Sequence, residues 1–166
     1  MTKDNVKNLC EITKGKLKGV IDKTEEFLNH HSLTQLNIDN DIEMEQFYRD
    51  ILSDVRHLLV FSEVFYEKIG ICLRRPNFNL DFSEKVLFDV YHKCIASFFY
   101  PKHECYAEDG RYAYTGQDAI RFRKKPSREI RDLILGLSKT FEELRDDLAF
   151  YETDYLTEKK LQGKSV

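Results

Sequence analysis

Histidine and cysteine stand two residues apart twice in this chain, as His92-Lys93-Cys94 and as His103-Glu104-Cys105. Zinc takes four nitrogen or sulfur ligands in a tetrahedron, so one such pair from each segment would supply a full set. Geometry opposes the first pair, because residues two apart on a helix point about 200° from each other. Cys94 also falls on an apolar stripe, where a free thiol packs as a small hydrophobe. His103 and Cys105 follow Pro101 in a loop and are better placed, as metal ligands or as a thiol nucleophile and its base. Nothing in the sequence orients His103 as such a base requires, so no metal, cofactor or catalytic residue is assigned. His30-His31 close a helix, where cationic side chains complement the dipole. His57 adjoins Arg56, and adjacent helical residues diverge rather than converge on one phosphate.

The densest surface chemistry is basic and aromatic. From Arg111 to Arg131 the chain carries Arg111, Arg121, Arg123, Lys124, Lys125, Arg128 and Arg131 against Asp118 and Glu129. Tyr112, Tyr114 and Phe122 are interleaved, as a platform for single-stranded nucleic acid or a phosphorylated ligand requires. Glu142, Glu143, Asp146, Asp147, Glu152 and Asp154 then reverse the sign. Such poles serve equally as solvated faces or as contacts with another protein or a second copy. Arg111, Tyr112, Tyr114, Arg121, Phe122, Arg123, Lys124, Lys125 and Arg128 are the candidate contact residues. Glycine-rich phosphate loops, serine elbows and HExxH are absent from the sequence. The carboxylates fall outside the apolar stripes and no Glu-x-x-His occurs, which argues against a di-iron centre.

Four helical segments would position these groups. Val6, Cys10, Thr13, Leu17, Val20, Thr24 and Phe27 alternate in steps of four and three and predict a helix over about 4–31. A second stripe, Met44, Tyr48, Ile51, Val55, Leu58, Ser62, Phe65 and Ile69, runs to about Leu73, before Pro76. A third opens with Asp81 as cap and Glu84 three residues on, and is stopped by Pro101. The fourth follows Ser127 as cap, with Ile130, Ile134, Leu137, Phe141, Leu144, Leu148, Tyr151 and Tyr155 as one unbroken heptad seam. Between the third and fourth, Arg111–Tyr114 and Ala119–Arg123 alternate with period two around the turn Thr115–Asp118, a β-hairpin. The expected fold is all-α, an antiparallel four-helix bundle with this hairpin inserted over about 100–125. One domain spans 1–158, and 159–166 form a polar, frayed tail.

The composition agrees with a packed domain: 166 residues, 42 % apolar and 33 % charged, with few Gly and Pro. A net charge of −3 argues against a dedicated nucleic-acid binder. The N-terminal residues mix both charge signs without an apolar run, so neither an export signal nor a membrane span is expected. Cys10, Cys72, Cys94 and Cys105 are widely scattered, which fits reduced thiols in the cytoplasm.

The runs YRDILSDVRHLLVF (Tyr48–Phe61), YHKCIASFFYPKHECYAEDGRYAYTGQDAIRFRKKP (Tyr91–Pro126) and YETDY (Tyr151–Tyr155) resemble the YpuI-like proteins of Bacillus-type bacteria. The resemblance covers about residues 5–157 and implies a bacterial, cytosolic, single-domain protein. It carries over no activity and no catalytic residue. The expected function is therefore a non-enzymatic protein-interaction module, contacting a partner or a second copy through the hairpin and the last helix. The alternatives are a nucleic-acid or phosphate binder on the same patch, and a metal- or thiol-dependent enzyme around His103 and Cys105.

Overall fold

The structure, a computed structural model, describes residues 1–109 and 120–165. It is mostly helical, with one small antiparallel sheet. Helix α1 spans Lys3–His30 and α2 Leu33–Leu36; α3 runs Ile42–Arg74. Helix α4, Leu80–Asp89, passes through a π-helical turn, Val90–Ile95, into α5, Ala96–Phe99. Strands β1, Tyr106–Glu108, and β2, Ile120–Phe122, pair antiparallel with Tyr106 opposite Phe122. Helix α6, Arg128–Asp147, is followed by a 3-10 turn, Ala149–Tyr151, and α7, Asp154–Leu161.

The apolar stripes explain the packing. Every position of the α1 stripe from Val6 to Phe27 is buried, including Thr13 and Thr24. The same holds for α3 from Tyr48 to Ile69, with Met44 half-buried at its start. Helix α1 packs against α3, α4 and α6. Early residues of α1 meet late residues of α3, where the Lys14 ammonium lies 4.9 Å from the centre of the Tyr66 ring. The middle of α1 meets late α6: Lys16 donates to Asp147 at 2.6 Å and pairs with Glu143 at 3.5 Å. This gives part of the acidic α6 face a cationic partner within the chain.

Several expectations change. The last seam is not one helix: α6 ends at Asp147, and Leu148, at φ −103° and ψ 16°, turns the chain out of the helix. The break frees the Tyr151 carbonyl, which accepts a 2.9 Å hydrogen bond from Nε2 of His92. Leu148, Tyr151 and Tyr155 remain buried despite it. Helix α4 is capped by Asn79, whose side chain accepts from the Phe82 amide at 3.0 Å, so Asp81 stands in the first turn and is not the cap. The tail expected from Lys159 begins later, because α7 continues to Leu161. Lys159 is buried and bonds Asp81 at 3.0 Å, with buried Glu84 at 3.6 Å.

The hairpin's first strand is Tyr106–Glu108; the segment expected for it, Arg111–Tyr114, and the turn Thr115–Asp118 lie outside the described residues. Its base is fixed to the helices. Arg145 of α6 grips Glu108 with two bonds of 3.0 and 3.1 Å and lies 4.1 Å from the centre of the Phe99 ring. Phe98 stacks on Phe141 at 4.5 Å and meets Tyr106, which meets Phe122. Among the described residues no helix is long and apolar enough to cross a membrane.

Candidate functional site

Helix α3 carries Asp50, Asp54, His57 and Phe61 in steps of four, three and four, one face of a helix. Asp54 stands three residues after Ile51 and four before Leu58, both buried, and is itself only 8 % exposed. The expectation that carboxylates avoid the apolar stripes therefore fails at Asp54, and again at buried Glu84. Both have partners, which is the condition for burying a charge.

The partner of Asp54 comes from the connection after α5. Buried Pro101 follows that helix, and Glu104 closes a turn by donating its amide to the Pro101 carbonyl at 3.0 Å. Glu104 sits at φ 51°, a left-handed conformation that non-glycine residues seldom adopt. The turn aims the His103 amide at both Asp54 oxygens, 3.3 and 3.4 Å away. The His103 carbonyl accepts from Arg123 at 3.0 Å, and Arg123 reaches on to Asp50 at 3.1 Å. The His103 ring nitrogen Nδ1 lies 3.9 Å from Asp50.

Above this network, Asp54, His57, Phe61, Ser97, Tyr100 and Lys102 line a cleft of about 280 Å³. Burial raises the Asp54 carboxyl above its ordinary value, against the lowering influence of His103 and His57. Burial also acts upward on Asp50, but hydrogen bonds from Gln46 and Arg123 and the nearby His103 and Arg123 charges bring it below its ordinary value. Neither Lys102 nor His57 has an ion-pair partner among the described residues. Tyr100 is 81 % exposed at the rim. The π-helical turn ends just before Ser97, whose hydroxyl donates to the Lys93 carbonyl. Such turns recur at functional sites, as do strained residues like Glu104.

The sequence-predicted residues divide between several settings. Arg111, Tyr112 and Tyr114 lie outside the described residues. Arg121 pairs with Asp109 at 3.6 Å, and Phe122 is half-buried against the core. Arg123 belongs to the network above, and its guanidinium lies 5.7 Å from the centre of the Phe47 ring. Lys124 donates to the Glu43 carbonyl at 2.8 Å. Lys125 is exposed, and Arg128 pairs with Asp132 one turn along α6 at 3.6 Å. Two cations of the patch, Arg123 and Lys124, thus bind the hairpin base to α3.

The thiol and metal candidates also acquire definite surroundings. Cys105 is fully buried, and its Sγ lies 3.9 Å from the His103 carbonyl oxygen. Burial, then the carboxylates of Asp54 and Asp50, push the thiol up to about 12, which leaves almost no thiolate near neutrality. His92 is exposed while Cys94 is fully buried with its sulfur 3.6 Å from Ser62 Oγ, so that pair diverges. Among the described residues no group of three or more His, Cys, Asp or Glu is placed to hold a metal ion. His30 and His31 bond the Glu26 and Phe27 carbonyls through Nδ1 and line a separate cavity between α1 and α6.

Asp54, Ser97, Tyr100 and Lys102 were not among the sequence-based candidates. For Asp54 the signal existed: a carboxylate three residues after Ile51 and four before Leu58 interrupts an apolar face. For the others it did not, since the cleft joins segments some forty residues apart.

Comparison with known proteins points one way. The family model described as "Protein of unknown function (DUF3907)" matches residues 10–157. The "Uncharacterized protein YpuI" of Bacillus subtilis (strain 168) is 35 % identical over 136 residues, covering 82 % of this chain and 75 % of that one. No solved structure matches. With most of its length matched, the chain belongs to the DUF3907 family.

Proposed function

We propose that this chain is a non-enzymatic protein-interaction module whose contact surface centres on the rim of the α3–α5 cleft and extends to the hairpin base. The observation that carries this reading is Tyr100, a large aromatic 81 % exposed beside Lys102 and His57, which have no ion-pair partner among the described residues. Val60 and Val64, exposed one turn apart on α3, add apolar area to the same helix. Aromatic side chains beside a pocket are the usual anchors of protein interfaces. In this reading the helical segments act as an antiparallel four-helix bundle, a rigid support for the cleft, in a cytoplasmic protein. Arg121, Lys125 and Arg128 extend the surface along the hairpin base, whereas Arg123 and Lys124 hold that base in place.

Affinity capture from a bacterial lysate with the wild type and a Tyr100→Ala, Lys102→Glu variant tests the reading. A protein retained by the wild type and lost by the variant, at equal thermal stability, is the expected result. Identical retention by both would remove the cleft rim as the contact surface. The alternative, nucleic acid on the basic patch, requires retention on single-stranded DNA that weakens steeply with salt.

A further inference from the structure

Asp54 brings a buried carboxylate to the cleft, and its hydrogen-bond partners leave room for another. A carboxylate accepts up to about four bonds. The His103 amide approaches both oxygens at 3.3 and 3.4 Å, longer than the common range of about 2.7–3.2 Å. The Cys105 thiol beside it is a weak donor. The same cleft carries Lys102 and His57, cationic or donor groups with no ion-pair partner among the described residues, and the rings of Phe61 and Tyr100. An acceptor, a cation and an apolar wall thus line one space of about 280 Å³, near the lower end of small-ligand cavities.

We propose that this cleft binds a free α-amino acid with an apolar side chain. Its ammonium donates to Asp54, its carboxylate accepts from Lys102 and His57, and its side chain packs on Phe61 and Tyr100. The lining discriminates against simpler ligands. A carboxylate or phosphate without an amine meets the Asp54 charge, and an amine without a carboxylate meets the Lys102 charge; like charges in a confined site repel. Only a ligand bearing both signs satisfies both groups. The inference goes beyond the interaction reading: it shares Tyr100, Lys102 and His57 with that reading but adds the buried Asp54 carboxylate and Phe61, and because amino-acid titration and partner capture are separate readouts, each can fail without the other.

Isothermal titration of the purified full-length chain with L-leucine, L-phenylalanine, phenethylamine and 3-phenylpropanoate tests it. At least one of the two amino acids should bind with Kd at or below about 1 mM. Both one-charge analogues should bind about tenfold more weakly than L-phenylalanine, the loss expected when one charged hydrogen bond is removed. Lys102→Gln, at an exposed position, should cost about tenfold in amino-acid affinity and leave the unfolding transition unchanged. Asp54→Asn should give a similar loss, and the analogue comparison stands independently if that variant folds poorly. Absence of binding by both amino acids up to about 20 mM overturns the proposal. So does an analogue that binds as tightly as the amino acid, or a Lys102→Gln variant with wild-type affinity.

Discussion

Arg123 separates a structural cation from a surface one, and Arg123→Ala turns that distinction into a number. The side chain makes one charged bond to the His103 carbonyl, worth about 1 kcal/mol after allowing for its partial exposure. Its 3.1 Å ion pair with Asp50 adds at most about 1 kcal/mol, since the Arg123 side chain is 43 % exposed. The guanidinium near the Phe47 ring contributes about 0.5 kcal/mol. These contributions are not additive in full, so the expected destabilisation is about 1–2.5 kcal/mol, or roughly 3–8 °C in Tm for a chain of this size. Lys125→Ala, at an exposed cation with no ion-pair partner among the described residues, should stay within about 0.5 kcal/mol. Urea unfolding followed by circular dichroism measures both. The pH dependence supplies a second check. Asp50 titrates below its ordinary value in the folded chain, so its stabilisation is present above the unfolded value, near pH 4, and is lost as pH falls through the folded one. The cost of Arg123→Ala should therefore be full at pH 7 and shrink below about pH 4. An Arg123→Ala variant as stable as Lys125→Ala at pH 7 would refute the anchoring of the hairpin base and return Arg123 to the free basic surface.

Further expectations follow from the same contacts. Asp54 titrates above its ordinary value, so the stability it confers is present below its unfolded value and is lost as pH rises through the folded one; the stability of Asp54→Asn relative to wild type should improve between about pH 4 and pH 7 in urea titrations. A relative stability independent of pH would contradict the burial argument. Lys159→Met leaves buried Glu84 without its ammonium and should cost about 2–4 kcal/mol in the same assay, whereas a neutral change would show that the Lys159 cluster contributes nothing. Cys10, Cys94 and Cys105 have thiols pushed up to about 12, so iodoacetamide at pH 7.5 should label them only after unfolding. Rapid native labelling of Cys105, read by mass spectrometry, would contradict its burial.

The helical framework was legible because burial follows helical periodicity. The stripe from Val6 to Phe27 and that from Tyr48 to Ile69 are buried at each position. Ser127 caps α6 as its residue type suggests, accepting from the Ile130 amide at 3.4 Å. The last seam misled in one respect. Leu148, Tyr151 and Tyr155 face the core as their spacing predicts, yet the backbone leaves the helix between them. An apolar period records which side chains are buried, and a single turn of different pitch can preserve that record. Asn79 and Asp81 are both good caps, and residue type alone does not choose between them. The choice also settles whether Leu80 enters the helix, where it packs half-buried against the core.

The site was less legible. His103 and Cys105 stand out in the sequence as a pair, but the structure uses the amide and carbonyl of His103, and backbone groups carry no residue-specific signal. The basic run from Arg121 to Arg128 was visible as charge. Its division into anchors, Arg123 and Lys124, and surface groups, such as Lys125, depends on Asp50 and the Glu43 carbonyl far upstream in the sequence. Tyr100 and Lys102 flank Pro101 and look like ordinary loop residues until α3 brings Asp54 and His57 beside them.

The most direct measurement is hydrogen exchange by mass spectrometry on the full chain, alone and saturated with a captured partner protein. Binding at the cleft rim should slow exchange chiefly in residues 97–103 and the adjoining turns of α3 around 57–64. Slowing confined to residues 121–131, or no change around Tyr100, would contradict it and place the contact on the basic hairpin surface instead.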